Sequence, residues 1–187
     1  LNKMLKIRPL NKKDFPQAME ILNEELGKNR VRSANFLLKK FKQFPKFFIG
    51  VYLDKELIGI ICGFPREDYL LISELAIDSR FHRRNFGRKL VEEFEEVAKK
   101  ENYNKINVGA QDESVGFYSS LRFEPFLLIQ FNEKDYSKGD FKNFDIIRYA
   151  LGIIEVKTKE CDIPKLIKLR KKYPKAYFQY IFTKKIK

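Results

Sequence analysis

One junction constrains this chain more than any other. The segment YLLISELAID, Tyr69 to Asp78, leads through RFHRRNFGRKL, Arg80 to Leu90, directly into GRKLVEEFEEVAKKENY. The first segment is apolar on both faces at several positions, the pattern of a central strand. In the last, Leu90, Val91, Phe94, Val97 and Ala98 recur at helical spacing, and the pairs Glu95→Lys99 and Glu96→Lys100 fall on the wet side. Strand, basic loop and helix therefore form one unit. A helix start carries four N–H groups without intrahelical partners and a partial positive charge. A loop rich in Arg and Lys placed there makes an anion site. Gly87 lets a ligand come close to the backbone, and Asn85 tolerates the left-handed conformation that a wrapping loop requires. The competing reading is a solvated basic turn. Neither a Walker A loop nor a G-x-G-x-x-G dinucleotide fingerprint occurs in the chain.

The elements around this unit alternate. Met4 to Leu10 reads as a strand. DFPQAMEILNEEL reads as a helix with Asp14 as N-cap and Gln17 as its capping-box partner, burying Phe15, Ala18, Met19, Leu22 and Leu26. Asn35 to Phe44 is a second helix with Leu37, Phe41 and Phe44 on one stripe. Phe47 to Phe64 is a hairpin turning at Asp54-Lys55. After the central helix come the strand KINVGA, a short helix DESVGFYSSL capped by Asp112, and the strand FEPFLLIQF. This order predicts an α/β fold with an α+β mixed sheet over residues 1–132. Residues 133–187 then form a C-terminal β-α-β extension: DIIRYALGIIEVKT as a strand, DIPKLIKLRKKY as a helix with Ile163, Leu166, Ile167 and Leu169 inward, and AYFQYIF as a strand. Asp162-Ile163-Pro164 echoes Asp14-Phe15-Pro16, either as an internal repeat or as shared capping chemistry.

Charge and composition narrow the function. The 187 residues are 44% hydrophobic, which suits a folded core rather than disorder, and carry a net charge of +13. That excess favours anionic ligands: nucleic acid, an acidic surface or a phosphorylated cofactor. Cys62 and Cys161 lack metal-ligand spacing and His82 is the only histidine, so neither a disulfide framework nor a metal site is expected. No apolar run reaches the ~18–20 residues of a membrane span. LNKMLKIRPL has no signal-peptide core, which points to a cytoplasmic protein. Leu1–Lys3 before Met4 are an expression remnant or an unusual start.

Met4 to Phe131 resembles the GCN5-related N-acetyltransferase (GNAT) superfamily. Its acyl-CoA motif, R/Q-x-x-G-x-G/A, follows a strand ending in Val or Ile. Here Ile77 ends the strand, His82 stands at the R/Q position, Asn85 at the first glycine and Gly87 at the second. SVGFYSSLRF, Ser114 to Phe123, resembles A-x-x-h-Y-x-K-x-G-F, with Tyr118 at the tyrosine, Phe123 at the final aromatic and Arg122 in place of glycine. Gln111 stands where relatives often carry Asn. IRPLNKKDFPQAMEIL and VYLDKELIGIICGF match the family's openings.

The resemblance implies an acetyl-CoA-dependent N-acetyltransferase that moves an acetyl group to a primary amine by direct attack in a ternary complex. Pantetheine would pair with the backbone of Ala76 and Ile77, and the pyrophosphate would sit on His82, Arg83, Arg84, Asn85, Phe86, Gly87 and Arg88, with Gln111 as a further cofactor contact. Tyr118 would protonate the CoA thiolate. Glu74, three residues before Ile77, is the candidate general base, with a water chain as the alternative and Glu24 and Glu25 as further acids. The acceptor would be a protein N-terminus, a lysine or a small amine. The tail would complete the acceptor cleft or pair subunits in a homodimer. A second reading is a basic nucleic-acid-binding module or a non-catalytic acyl-CoA-binding domain of this fold, supported by the interleaved cations and aromatics of KLIKLRKKYPKAYFQY.

Overall fold

The computed structural model describes residues 4–187; Leu1–Lys3 lie outside them. The chain divides into two compact units, one running to Ile106 and including Lys185–Lys187, the other Asn107–Lys184. The architecture is mixed α/β, with five α-helices among the described residues.

The first unit carries β1 (Leu5–Pro9), α1 (Phe15–Leu26), α2 (Ala34–Gln43), β2 (Phe48–Leu53), β3 (Glu56–Pro65), β4 (Leu70–Ile77) and α3 (Phe86–Lys100). β1, β2, β3 and β4 lie side by side, and each neighbouring pair is antiparallel. Phe15, Ala18 and Leu22 of α1 and Leu37 and Phe41 of α2 bury one sheet face with Phe48, Tyr52, Ile60, Cys62 and Ala76. Gly63 follows Cys62 and points the other way, where a Cβ would come within 2.6 Å of Phe94 of α3. Side chains alternate across a strand, so α3 covers the opposite face. Leu90, Val91, Phe94 and Ala98 are buried there, as their spacing predicts.

Two capping expectations are corrected. Asp14 precedes α1 but makes no capping bond with its side chain. Its carboxylate instead accepts the Tyr52 hydroxyl at 2.8 Å, and Gln17 donates to the Leu57 carbonyl at 3.3 Å. On α3, Lys99 closes on Glu96, three residues back, at 2.7 Å, and the expected attractions of Glu95 for Lys99 and of Lys100 for Glu96 act beside it. Asp112 does not cap the short helix: Arg170 holds its carboxylate, with Nη2 to Oδ1 at 3.0 Å.

The second unit contains most of β5 (Lys105–Gly109), then α4 (Val115–Ser120), β6 (Glu124–Gln130), β7 (Ile146–Ala150), β8 (Ile153–Lys157), α5 (Ile163–Lys172) and β9 (Tyr177–Lys185). β9 and β8 flank β6, both antiparallel to it, and β7 pairs with β8. The segment expected as one strand, Asp145 to Thr158, is thus a hairpin. Its two turn residues, Leu151 and Gly152, sit at φ 46° and 73°, and positive φ at both is what a tight hairpin turn needs. Asp162 caps α5 by accepting the Lys165 N–H at 2.8 Å, whereas Asp14 in the echoed motif does not cap α1. Ile167 faces outward at 44% exposure while Leu166 is buried, because the inner stripe runs 163, 166, 169 and takes in the stem of Arg170. Among the described residues no helix is long and apolar enough to cross a membrane.

Candidate functional site

The site builds from the end of β4. The Asp78 N–H donates to the Ile58 carbonyl at 2.9 Å, which fixes the phase of the β3–β4 ladder. Bonded and non-bonded pairs alternate in an antiparallel ladder. Ala76, opposite Ile60, therefore gives its N–H and C=O to β3, while Leu75 and Ile77 turn theirs away from it. On the side of β4 away from β3 the backbone groups on offer are those of Leu75 and Ile77, and Ala76 offers only a side chain there. Upstream, Cys62 pairs with Glu74 and Gly63 with Ile72, so β4 bulges at Ser73. Bulges re-aim neighbouring side chains, here Glu74.

Glu74 is 6% exposed. Its Oε1 accepts from Arg32 Nη1 at 3.2 Å, the Arg32 N–H at 3.4 Å and Ser73 Oγ at 3.2 Å. Burial pushes its pKa up, and the Arg32 charge pulls partly back. Arg32 comes from the α1–α2 connection.

Beyond Ile77 the chain makes a 3-10 turn, Ser79–Phe81. Asp78 accepts the Arg80 N–H at 2.9 Å, and Arg80 reaches on to Glu56 at 2.8 Å. Arg80 holds the Asp78 carboxyl below the usual carboxylate range. Arg80 is therefore committed to the loop's own structure. Arg84 lies over the Phe81 ring at 5.6 Å. His82 turns back: its Nε2 is 2.6 Å from the Ile77 carbonyl oxygen and 3.4 Å from Glu25 Oε2. Glu25 Oε1 accepts the Ser79 N–H at 2.7 Å, so the end of α1 is tied to the start of the loop. No sequence signal marks that role for Glu25.

Asn85 takes the left-handed conformation, φ 61° and ψ 13°, immediately before α3. Arg83 does so too, at φ 60°, which the sequence did not announce. The Lys89 N–H closes the first bond of the helical ladder on Asn85 O at 3.1 Å, so the N–H groups of Phe86, Gly87 and Arg88 lie ahead of that ladder. No acidic residue lies in the first turn of α3. Two left-handed residues therefore wrap a basic loop around a helix start free of carboxylates, chemistry suited to a phosphate group. Glu74, Ala76, Ile77, His82, Arg83, Arg84, Asn85, Phe86, Gly87 and Arg88 all lie on this one run of chain.

Tyr118 and Gln111 belong to the second unit. Tyr118, in α4, is 6% exposed, with its ring 5.1 Å from Phe117, 5.9 Å from Phe123 and 5.8 Å from Phe182. Gln111 precedes the 3-10 turn Asp112–Ser114, and its carbonyl accepts the Ser114 N–H at 2.9 Å. Arg122, in the motif's glycine place, is left-handed at φ 64°. Among the described residues no group of three or more His, Cys, Asp or Glu is placed to hold a metal ion.

A profile described as the Acetyltransferase (GNAT) family matches residues 11–123, more than half of the chain. The chain belongs to the GNAT acetyltransferase family. Solved structures share the GNAT fold at low identity. Ard1 from Thermoplasma volcanium is 16% identical, with a TM-score of 0.65 and 98% of each chain covered. The ribosomal-protein-S18-alanine N-acetyltransferase from Escherichia coli is 14% identical, with a TM-score of 0.61, covering 98% of this chain and 94% of that one. Arabidopsis thaliana Naa50, in complex with the bisubstrate analogue CoA-Ac-MVNAL, is 16% identical, with a TM-score of 0.62, covering 97% and 99%. No curated protein sequence matches the chain. Within this GNAT domain the matched segment contains the whole run from β4 to α3 and also Tyr118.

Proposed function

We propose that this GNAT protein is an N-acetyltransferase that moves the acetyl group of acetyl-CoA to a primary amine by direct attack in a ternary complex. The observation that carries the reading is the left-handed pair Arg83 and Asn85, which wraps the basic loop onto the start of α3 directly after a strand that turns the backbone groups of Leu75 and Ile77 away from β3. The N–H groups of residues 83–88 receive the pyrophosphate, that of His82 being taken by the Ser79 carbonyl at 3.2 Å. Leu75 and Ile77 pair with pantetheine as a sheet edge pairs with an added strand. Because His82 occupies the Ile77 carbonyl, Ile77 contributes its N–H, which polarises the thioester carbonyl. A donor of this kind is worth roughly 2.7–4 kcal/mol.

Glu74 takes a proton from the acceptor ammonium and frees the amine for attack, and burial, by raising its pKa, makes it a stronger base than an exposed carboxylate. The free amine forms the new C–N bond, the C–S bond breaks, Tyr118 gives its proton to the thiolate, and the proton lost by the new amide nitrogen returns through solvent to the Tyr118 phenolate. A phenol near ~10 and a thiol near roughly 8.5 are matched closely enough for that transfer. The assignment of Tyr118, like that of Gln111 to the cofactor, rests on the motif alone. Positioning of amine and thioester supplies much of the rate.

A peptide N-terminus is the favoured acceptor. The Escherichia coli relative is named for an alanine of ribosomal protein S18, and the Naa50 analogue joins CoA to the peptide MVNAL. Lysine side chains and small amines are the alternatives. The test incubates the protein with acetyl-CoA and a panel of free-N-terminal peptides, N-blocked lysine peptides and small amines, and reads products by mass and CoA by free thiol. Acetylated N-termini with matching CoA release are expected; absence of product from every amine overturns the reading.

A further inference from the structure

Three cations surround one phenylalanine near the end of β4 away from the basic loop. The Phe64 ring, on β3, is 1% exposed. Lys40 Nζ lies 4.9 Å from its centroid, Arg66 Cζ 5.1 Å and Arg32 Cζ 5.8 Å. Phe36 meets Phe64 edge-on at 5.6 Å, with Lys40 at 5.7 Å and Arg32 at 6.0 Å from its own ring. The cations come from three segments: the α1–α2 connection, α2 itself and the β3–β4 turn.

The carboxylates do not balance them. Glu74 pairs with Arg32. Lys40 and Arg66 form no ion pair among the described residues, and Glu67, next to Arg66, forms none either. Asp68, in the same turn, is held by Lys105. Aromatic faces attract cations but do not cancel their charge, so the cluster keeps its mutual repulsion until an anion arrives.

The strand register gives the cluster a direction. Along β4, Leu71 opposite Phe64, Glu74 opposite Cys62 and Ile77 opposite Gly59 run in order from the cluster toward the basic loop. If pyrophosphate sits at the start of α3 and pantetheine lies beside Ile77 and Leu75, the thioester points back toward Glu74. Arg32 joins the two regions, with its guanidinium 3.2 Å from Glu74 and 5.8 Å from the Phe64 ring.

We infer that Arg32, Lys40 and Arg66 form an acceptor subsite selecting amines that carry carboxylates close to the reacting nitrogen, namely peptide N-termini followed by Asp or Glu. The inference rests on the transferase reading. Arg32 both holds Glu74 and borders the subsite; Lys40 and Arg66 supply the free charge.

The test measures binding of two fluorescein-labelled peptides with free N-termini in the presence of CoA, one with glutamate at its second and third residues, the other with glutamine there. The variant is Lys40→Gln/Arg66→Gln, which leaves Arg32, Glu74 and the basic loop intact; its melting curve reports folding, and the two single variants provide intermediate steps. Wild type should bind the acidic peptide about tenfold more tightly than the neutral one, and added salt should erode the difference. The double variant should bind the two alike. Equal binding by wild type overturns the subsite, and so does a preference that survives in the double variant. Stabilisation by acetyl-CoA, measured on the same samples, reads the transferase assignment separately.

Discussion

The imidazole Nε2 of His82 donates to the carbonyl oxygen of Ile77 across 2.6 Å. A carbonyl can only accept, so Nε2 carries the hydrogen, and the ring fixes the last residue of β4 against the loop that follows. The imidazole thus acts on the cradle through the backbone. His82→Ala removes this bond, worth about 1 kcal/mol, and should raise the Kd for CoA about fivefold. His82→Gln retains a donor and should stay near wild type. Calorimetric titration of both variants checks this; an unchanged Kd in His82→Ala removes the positioning role.

Backbone handedness makes a second prediction. Asn85 and Arg122 hold φ 61° and 64°, a conformation that costs most residues about 1–2 kcal/mol and glycine almost nothing. Arg122→Gly should therefore leave the denaturant midpoint unchanged or raise it. Asn85→Gly should fold and bind CoA as wild type does, whereas Asn85→Val should lose about 1–2 kcal/mol of stability and most of its CoA affinity. A wild-type Asn85→Val would show that the loop does not need this turn.

Glu74 gives a prediction in pH. Its folded pKa lies above the usual 4.5 because of burial. A group raised in this way contributes stability that is full below the unfolded value and is lost as pH rises through the folded value. Wild-type stability should fall from this source above pH 4.5, and Glu74→Gln should flatten that slope. Urea melts across the window test it, and an identical slope in the variant contradicts the assignment. If Glu74 is the base, the rise of turnover with pH through the same window disappears in Glu74→Gln as well.

The fold was legible where periodicity was strong. The stripe Leu90, Val91, Phe94 and Ala98 marked α3, and Leu37 and Phe41 marked α2. Asn85 was legible as a left-handed residue because few side chains tolerate that turn, whereas Arg83 has no such bias and takes it because the loop geometry demands it. Capping was misread at Asp14 and Asp112, since a carboxylate goes to the strongest donor within reach, and Tyr52 and Arg170 come from far along the chain. The same is true of Glu25 with Ser79 and of Arg32 with Glu74: tertiary partners leave no mark at short spacing. The break at Leu151-Gly152 was hidden because both flanks are β-rich.

Tyr118 is predicted from its motif to act as an acid. Tyr118→Phe keeps the ring among Phe117, Phe123 and Phe182 and removes only the hydroxyl. Turnover should fall by about a hundredfold or more while the Kd for acetyl-CoA stays constant. Unchanged turnover would dismiss the role.

The most direct measurement is calorimetric titration of CoA into the wild-type protein and Asn85→Val at ~0.3 M salt, where simple phosphate attraction fades steeply. Saturable one-to-one binding by wild type, largely lost in Asn85→Val, is the predicted result. Absence of binding by wild type at that salt, or equal binding by both proteins, would contradict a CoA cradle built on the turn between β4 and α3.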